Sequence, residues 1–372
     1  MNLAPDSPET LASCAAASLI SGLLSALWPG LTAAGPITTR TPGLSTCQTA
    51  PPARFRAMTD LPDDPKLPAL VALRDACRAD PAPGTEPDGA TIEFMLCGYS
   101  QGTRATLEAR AGDRRIAVKI YAEDAGPEAE LYEALAAAGL GGDSGVRVPP
   151  LLFLERELRV LVIGWLEGPT AHELVKDGRG ARAGELAAEW MRRAASLSVA
   201  LGPPFGARRI QAKMGNWVST LHATDPALGR AAAGVSDRLE QTQPREAAPR
   251  LVHGTFYARH IFDLGSGPGV IDWQRFGQGP LELDAGMFLA TIGRVGLDQK
   301  KRAVEAAMAE EAFLAGTRGL LDERAVSWFR ATSFLHLAAR RVRHPERHRP
   351  ERLVERAQSL LGEAARHAGA AG

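Results

Sequence analysis

A chain of 372 residues with 43 basic and 43 acidic side chains is long enough for one two-lobed enzyme core or two ordinary domains, with a tail left over. Its formal net charge of zero excludes a global field favouring nucleic acid or an anionic membrane surface, so any charged partner has to be met locally. Cys14, Cys47, Cys77 and Cys97 have neither the spacing of a zinc site nor the density of a disulfide scaffold, and read as free thiols in a reducing, cytoplasmic setting.

Residues 1–60 are poor in charge and rich in Ala, Ser, Thr and Pro, with an uncharged stretch from Leu11 to Trp28. That stretch has about the 20 residues needed to cross a bilayer. It is diluted by Ser13, Ser18, Ser21, Gly22 and Ser25, however, and no Lys or Arg precedes it as a secretory signal requires. A membrane anchor is therefore not favoured. The segment is expected to be a disordered extension, or sequence upstream of a true start at Met58. Residues 61–90, rich in proline and acids with a short helix around Leu70 to Cys77, read as a lead-in.

From Thr91 to Tyr121 the chain alternates as strands do: Ile92, Phe94 and Leu96, then Thr106 to Arg110, then Ile116 to Ile120, with turns at Ser100–Thr103 and Ala111–Asp113. These predict three consecutive antiparallel strands. Glu128 to Ala138 reads as a helix stopped by Gly139 and Gly141, and Val148–Leu154 with Leu158–Ile163 as a further hairpin. The expectation for 91–165 is a small antiparallel sheet lobe with one helix. After Gly168-Pro169 the periodicity becomes helical, with Leu186, Trp190, Ala194 and Leu197 on one face. The span 166–372 is expected to be a larger, mainly helical lobe, its last helices at Leu283–Val295, Arg302–Gly316, Glu323–Arg343 and Leu353–Arg366. Within it, Leu251–His253, Ile261–Phe262 and Val270–Ile271 are short apolar segments around loops. The fold class is α+β.

Several residues have the types that phosphoryl transfer from a nucleotide needs: a backbone cover for phosphates, a cation on them, and a carboxylate for the metal. Gly98 and Gly102 bracket a turn where amides can approach an anion, although a glycine-bearing hairpin is the commoner meaning. Lys119 ends an apolar strand and Glu128 opens the next helix; taken alone, Lys119 reads as an edge-strand lysine pointing at water. Downstream lie Leu251-Val252-His253-Gly254-Thr255-Phe256-Tyr257-Ala258-Arg259-His260-Ile261-Phe262, then Gly269-Val270-Ile271-Asp272-Trp273-Gln274, then Gly279-Pro280-Leu281-Glu282-Leu283-Asp284.

In order and spacing these segments resemble the aminoglycoside phosphotransferase and choline kinase family, over about 200 residues from Thr91 to Ala290. The resemblance implies a two-lobed, protein-kinase-like fold and an ATP- and Mg2+-dependent phosphotransferase acting on a hydroxyl of a small molecule. It implies that Lys119 contacts the α and β phosphates and is braced by Glu128, with Glu130 as the fallback. Asp272 would hold magnesium, and the backbone of Ile163 to Trp165 would face the adenine. His253 would orient the loop and Asp284 would buttress it.

Two positions depart from the family pattern. Its catalytic aspartate is Thr255 here, and its metal-binding asparagine is His260. A threonine hydroxyl can neither take the proton of an attacking hydroxyl nor attract a cationic substrate as a carboxylate does. General-base assistance contributes typically about 10²- to 10⁴-fold, so its loss implies a slow enzyme or, as the alternative, a pseudokinase that binds nucleotide without transfer. His260 reads as a loop-stabilising group or as a metal ligand and base. Asp263 reads as a turn residue. Tyr257 and Arg259 are candidates for an acceptor phosphate or carboxylate. The basic run Arg340-Arg341-Val342-Arg343-His344, with Arg347 to Arg349 and Arg352, reads first as a helix C-terminus whose cations suit its dipole. The last helix should dock Leu353, Ala357, Leu360 and Ala364 on the body.

Overall fold

The computed structural model describes residues 54–78, 91–343 and 352–372. The Leu11–Trp28 stretch, the proposed mis-start upstream of Met58, Cys14, Cys47 and residues 344–351 of the basic run fall wholly or largely outside them. No described helix is long and apolar enough to cross a membrane. Among the described residues neither Cys77 nor Cys97 is in a disulfide. The chain divides into two compact units: the residues up to Glu133 with Pro149–Trp165, and Ala134–Val148 with Leu166–Gly372.

The first unit is built on a six-stranded sheet in the order β1-β2-β3-β4-β6-β5. Its elements are β1 (Arg54–Ala57), α1 (Pro68–Arg78), β2 (Thr91–Ser100), β3 (Arg104–Ala111), β4 (Arg114–Tyr121), α2 (Gly126–Leu135), β5 (Leu151–Glu155) and β6 (Val160–Gly164). The three consecutive antiparallel strands form as the alternation predicts. Two details differ from the sequence reading. Arg54–Ala57, inside the stretch read as an extension, pairs parallel with Thr91–Phe94, so the edge of the sheet is parallel. The segment after it is tied down too, since the Met58 N–H donates to Phe94 O at 2.7 Å and the Leu96 N–H to Thr59 Oγ1 at 2.9 Å. And α1 is part of the core rather than a lead-in. Leu70 and Leu73 are buried with Phe55, Leu61 and Leu67 against Ile92, Phe94, Leu107 and Val118, each such side chain contributing about 1.5–3 kcal/mol by leaving water. The β5 hairpin begins at Leu151 rather than Val148, because Pro149 and Pro150 have no N–H for a ladder.

In the second unit the segment before those prolines is stitched to the strands of the loop region: the Arg147 N–H donates to Pro268 O at 3.0 Å and the Val270 N–H to Arg147 O at 3.1 Å. The helices are α3 (Ala171–Lys176), α4 (Gly180–Ala195), α5 (Ala207–Thr224), α6 (Pro226–Gln241), α7 (Leu281–Asp298), α8 (Ala303–Gly316), α9 (Glu323–Arg343) and α10 (Leu353–Ala370). Between them lie short strands β7 (Arg250–Val252), β8 (Ile261–Asp263), β9 (Pro268–Val270) and β10 (Gly277–Gly279), paired as β7–β10 and β8–β9. Thr170 caps α3 in a capping box with Glu173. The predicted face of α4 is buried at Leu186, Trp190 and Ala194, as is Leu197 just beyond its end. At Gly184 an added Cβ would stand 2.1 Å from Ala309 O, so α4 and α8 pack backbone against backbone. Ala357, Leu360 and Ala364 of α10 join the same core as Trp328, Phe329 and Leu335 of α9, the docking that the apolar stripe predicts.

Candidate functional site

In the first unit, β4 lies between β3 and β6. Lys119 is therefore in a central strand, 4% exposed, and the edge-strand reading of this lysine is overturned. A buried ammonium is costly unless paired. Glu128, in the first turn of α2, forms an ion pair with its Nζ, and the Tyr121 hydroxyl donates to Glu128 Oε2 at 2.6 Å. Glu130 is exposed; Glu128 is the residue that meets Lys119.

The glycine turn behaves less simply. Gly98 follows a register shift in β2, and a Cβ added there would meet nothing within 4 Å. Gly102 has φ 63°, and its N–H donates to Asp64 Oδ2 at 2.6 Å. The Tyr99 hydroxyl donates to the same oxygen at 3.0 Å. The Gly102 amide, expected to approach an anion, thus meets a carboxylate of this chain, and that amide holds Asp64 below the usual carboxylate range. Ile163 is buried in β6. The Gly164 N–H donates to Pro150 O at 2.8 Å, and a Cβ there would stand 2.7 Å from the Pro150 ring. The Arg115 guanidinium lies 4.4 Å over the Trp165 ring.

In the second unit, His253 leaves β7 into the loop that carries Thr255 and His260. Gly254 must be glycine, with φ 72° and an added Cβ only 2.2 Å from Arg275 O. Asp284, 2% exposed, accepts the His253 N–H at 2.6 Å and the Gly254 N–H at 2.9 Å. Burial pushes its carboxyl up to about 7 against the pull of those two amides. His253, 1% exposed, has Nε2 at 2.8 Å from Ile271 O; a carbonyl only accepts, so Nε2 carries the proton. In the neutral ring Nδ1 is then an acceptor, and it receives the Thr255 N–H at 3.2 Å and the Thr255 hydroxyl at 3.1 Å. The hydroxyl hydrogen of Thr255 is committed to the histidine, and the oxygen keeps lone pairs for an incoming donor. Beneath the loop, Trp190, Trp273, Phe256 and Phe288 form a contiguous set of ring contacts.

His260, 5% exposed, is fixed by the same logic. Its Nδ1 donates to Thr255 O at 2.9 Å. Burial, and then the Arg259 charge, depress the ring to about 3 in spite of the neighbouring Asp272. Its free Nε2 lone pair lies 3.4 Å from Asp272 Oδ2. Asp272 has φ 69°, a conformation tolerated by few non-glycine residues. Two acceptors at that separation fit a shared cation, so one carboxylate and one imidazole are chemically suited to a divalent metal. Asp263 is engaged elsewhere, since Arg182 donates to it at 2.8 and 3.2 Å and holds it below its usual range.

The model of the phosphotransferase enzyme family matches residues 104–321. The chain belongs to this family. Solved structures agree on the fold: a choline/ethanolamine kinase family protein from Mesorhizobium loti, at 20% identity and TM-score 0.50, covers 78% of this chain and 94% of its own. A thermostable mutant of the aminoglycoside phosphotransferase APH(4)-Ia, in ternary complex with ADP and hygromycin B, covers 75% and 95% at 13% identity and TM-score 0.53. Its apo form gives TM-score 0.53 at 15% identity, over 75% of this chain and 94% of that one. The fold of this phosphotransferase-family chain is thus protein-kinase-like. Among curated proteins none matches at a significant level.

Two members of the site escape the sequence reading. Tyr121 stands two residues after Lys119 and shares its side of the strand, so the period-2 pattern held the signal. Asp64 reaches Gly102 from 38 positions upstream, and nothing local announces it.

Proposed function

We propose that this phosphotransferase-family chain transfers the terminal phosphoryl group of ATP to a hydroxyl of a small molecule. The observation that carries the reading is the buried Lys119–Glu128 pair in the central strand, because a protein has little reason to bury a lysine that neither a carboxylate nor a phosphate uses. Lys119 would draw the nucleotide phosphates and Glu128 would keep its Nζ in place. Asp272, with His260 Nε2, would hold the divalent cation, which when bound neutralises charge on the phosphates. Ile163 and Trp165 would border the base. Thr255 Oγ1 would accept a hydrogen bond from the acceptor hydroxyl and orient it without removing its proton, while His253 and Asp284 keep the loop in register. Transfer then rests on positioning and charge, at a rate below that of a site with a carboxylate at 255.

The hydrogen bond that commits the Thr255 hydroxyl to His253 favours a second reading, a nucleotide-binding pseudokinase. Calorimetric titration of the full chain with ATP and magnesium, with Asp272→Ala alongside, tests the first requirement of both. Magnesium-dependent binding lost in the variant supports the site, and no binding in the parent overturns it. Release of labelled phosphate to water or a hydroxyl acceptor then separates enzyme from pseudokinase.

A further inference from the structure

The stretch from Ala57 to Leu67 joins β1 to α1 within the first unit and is fastened at both ends. The Met58 N–H meets Phe94 O at 2.7 Å and Thr59 Oγ1 takes the Leu96 N–H at 2.9 Å, while Leu61 and Leu67 are buried in the core with Leu70 and Leu73 of α1. Between these anchors stands Asp64, 3% exposed. Its Oδ1 accepts the Lys66 N–H at 3.1 Å and its backbone carbonyl the Leu67 N–H at 2.9 Å, the local turn that leads into α1. That turn does not account for the other oxygen. Oδ2 accepts the Gly102 N–H at 2.6 Å and the Tyr99 hydroxyl at 3.0 Å, from 38 and 35 positions downstream. The Lys66 side chain lies against the same glycine, its Cδ 3.1 Å from where a Cβ at Gly102 would stand.

Sheet register fixes the side from which this carboxylate arrives. Gly98 is opposite Thr106, and Thr106 is opposite Lys119, so the three form one row across β2, β3 and β4 and share a face. The neighbouring row of Tyr99, Ala105 and Ile120 faces the other way, and Ala105 and Ile120 join the core that contains α1. Tyr99 and Asp64 therefore hold the turn from the α1 side, opposite the face that carries Lys119. The turn itself is closed by the Thr103 N–H on Ser100 O at 3.0 Å and depends on Gly102 at φ 63°, a residue with much backbone freedom to lose. A hairpin tip tied at its back is ordered before a ligand arrives, whereas an untied one has to be ordered by the ligand. Both Asp64 and the turn lie upstream of residues 104–321, which the family model matches.

We propose that Asp64 is a positioning residue for the glycine turn, binding the Gly102 N–H and the Tyr99 hydroxyl from the α1 side so that the turn stands preformed over the face that carries Lys119. This rests on the phosphotransferase reading, in which the turn covers the phosphates of the nucleotide. Asp64 touches neither nucleotide nor acceptor and acts through the backbone of the turn. Its effect is confined to the phosphates, because a nucleoside without them gives the turn nothing to cover.

The test is titration of the full chain with ATP and magnesium by calorimetry, and with adenosine by ligand-observed NMR, for the parent, Asp64→Ala, Asp64→Asn and Tyr99→Phe. Asp64→Ala should weaken ATP roughly tenfold, the value of one hydrogen-bonded tie to a charged group, and leave adenosine unchanged. Asp64→Asn keeps an acceptor oxygen for Gly102 and should recover most of the loss. Hydrogen exchange at the Gly102 amide should quicken in the alanine variant. Tyr99 is exposed, so Tyr99→Phe, expected to weaken ATP but not adenosine, keeps the test valid should Asp64→Ala fold poorly. Tighter ATP binding in Asp64→Ala would mean that the carboxylate withholds the amide from the phosphates, and equal losses for ATP and adenosine that it only stabilises the fold. Either result overturns the proposal, as does an unchanged ATP affinity. A parent that binds no ATP overturns the phosphotransferase reading and this inference with it, whereas a parent that binds ATP as tightly as its variants overturns this inference alone.

Discussion

Removing the Glu128 carboxylate while keeping Lys119 is the sharpest perturbation of the first unit. The two side chains are 5% and 6% exposed, so in Glu128→Ala the ammonium faces a low-dielectric interior without that counter-charge. Breaking a buried pair in this way costs about 3–5 kcal/mol, to which the loss of the Tyr121 hydrogen bond adds about 1 kcal/mol. Glu128→Gln keeps an acceptor for both neighbours and should cost about 1–3 kcal/mol. Replacing both partners, as in Lys119→Met with Glu128→Leu, removes the charge that needed compensation, and should return the protein to within about 1 kcal/mol of the parent. Urea denaturation followed by far-ultraviolet circular dichroism reads all four proteins. At roughly 2–4 °C per kcal/mol, the alanine variant should also melt on the order of 10 °C lower. If Glu128→Ala costs less than about 1 kcal/mol, Lys119 reaches water and the buried-pair argument fails. A double variant as damaged as the sum of Lys119→Met and Glu128→Leu, each measured alone, would refute the coupling.

Thr255→Asp supplies the missing base and should raise phosphate release from ATP to water by about 10²-fold or more; an unchanged release rate would show that the base is not what the site lacks. Gly254→Ala forces a Cβ to within 2.2 Å of Arg275 O at φ 72° and should cost about 1–3 kcal/mol, with faster hydrogen exchange at the His253 and Gly254 amides; unaltered protection there would mean that the loop tolerates the strain. His172, His336 and His367 are each depressed to about 4, by burial first and then by Lys176, Arg340 and Arg330 respectively. Unfolded histidine binds its proton near 6.5, so the stability these rings contribute is fully present above pH 6.5 and is lost as pH falls towards 4. All three are partly exposed, so about 2 kcal/mol, half of the full linkage value over that interval, should disappear between pH 6.5 and 5, while Asp284, raised to about 7, and His260, depressed to about 3, act in opposite directions there and nearly offset each other. A urea midpoint unchanged over that interval would contradict it.

What the residues by themselves determined is what a short period or a short spacing can encode. Alternation at Ile92, Phe94 and Leu96 fixes which side of a strand is apolar, and the three-four spacing of Leu186, Trp190, Ala194 and Leu197 does the same for a helix. The loop segments around His253, Thr255, His260 and Asp272 were legible in order, and Asp284 accepting the His253 and Gly254 amides is the buttress that the resemblance implies. Tertiary structure decided everything that depends on which distant segment arrives. Lys119 reads as an edge residue until β6 closes over β4. Residues 54–60 read as a tail until Phe55 stacks on Phe94 at 6.1 Å, and Asp64 has no visible role until Gly102 meets it. Local geometry is written in neighbouring residues, whereas a buried pair exists only once packing has chosen its members and excluded the water that would have screened them.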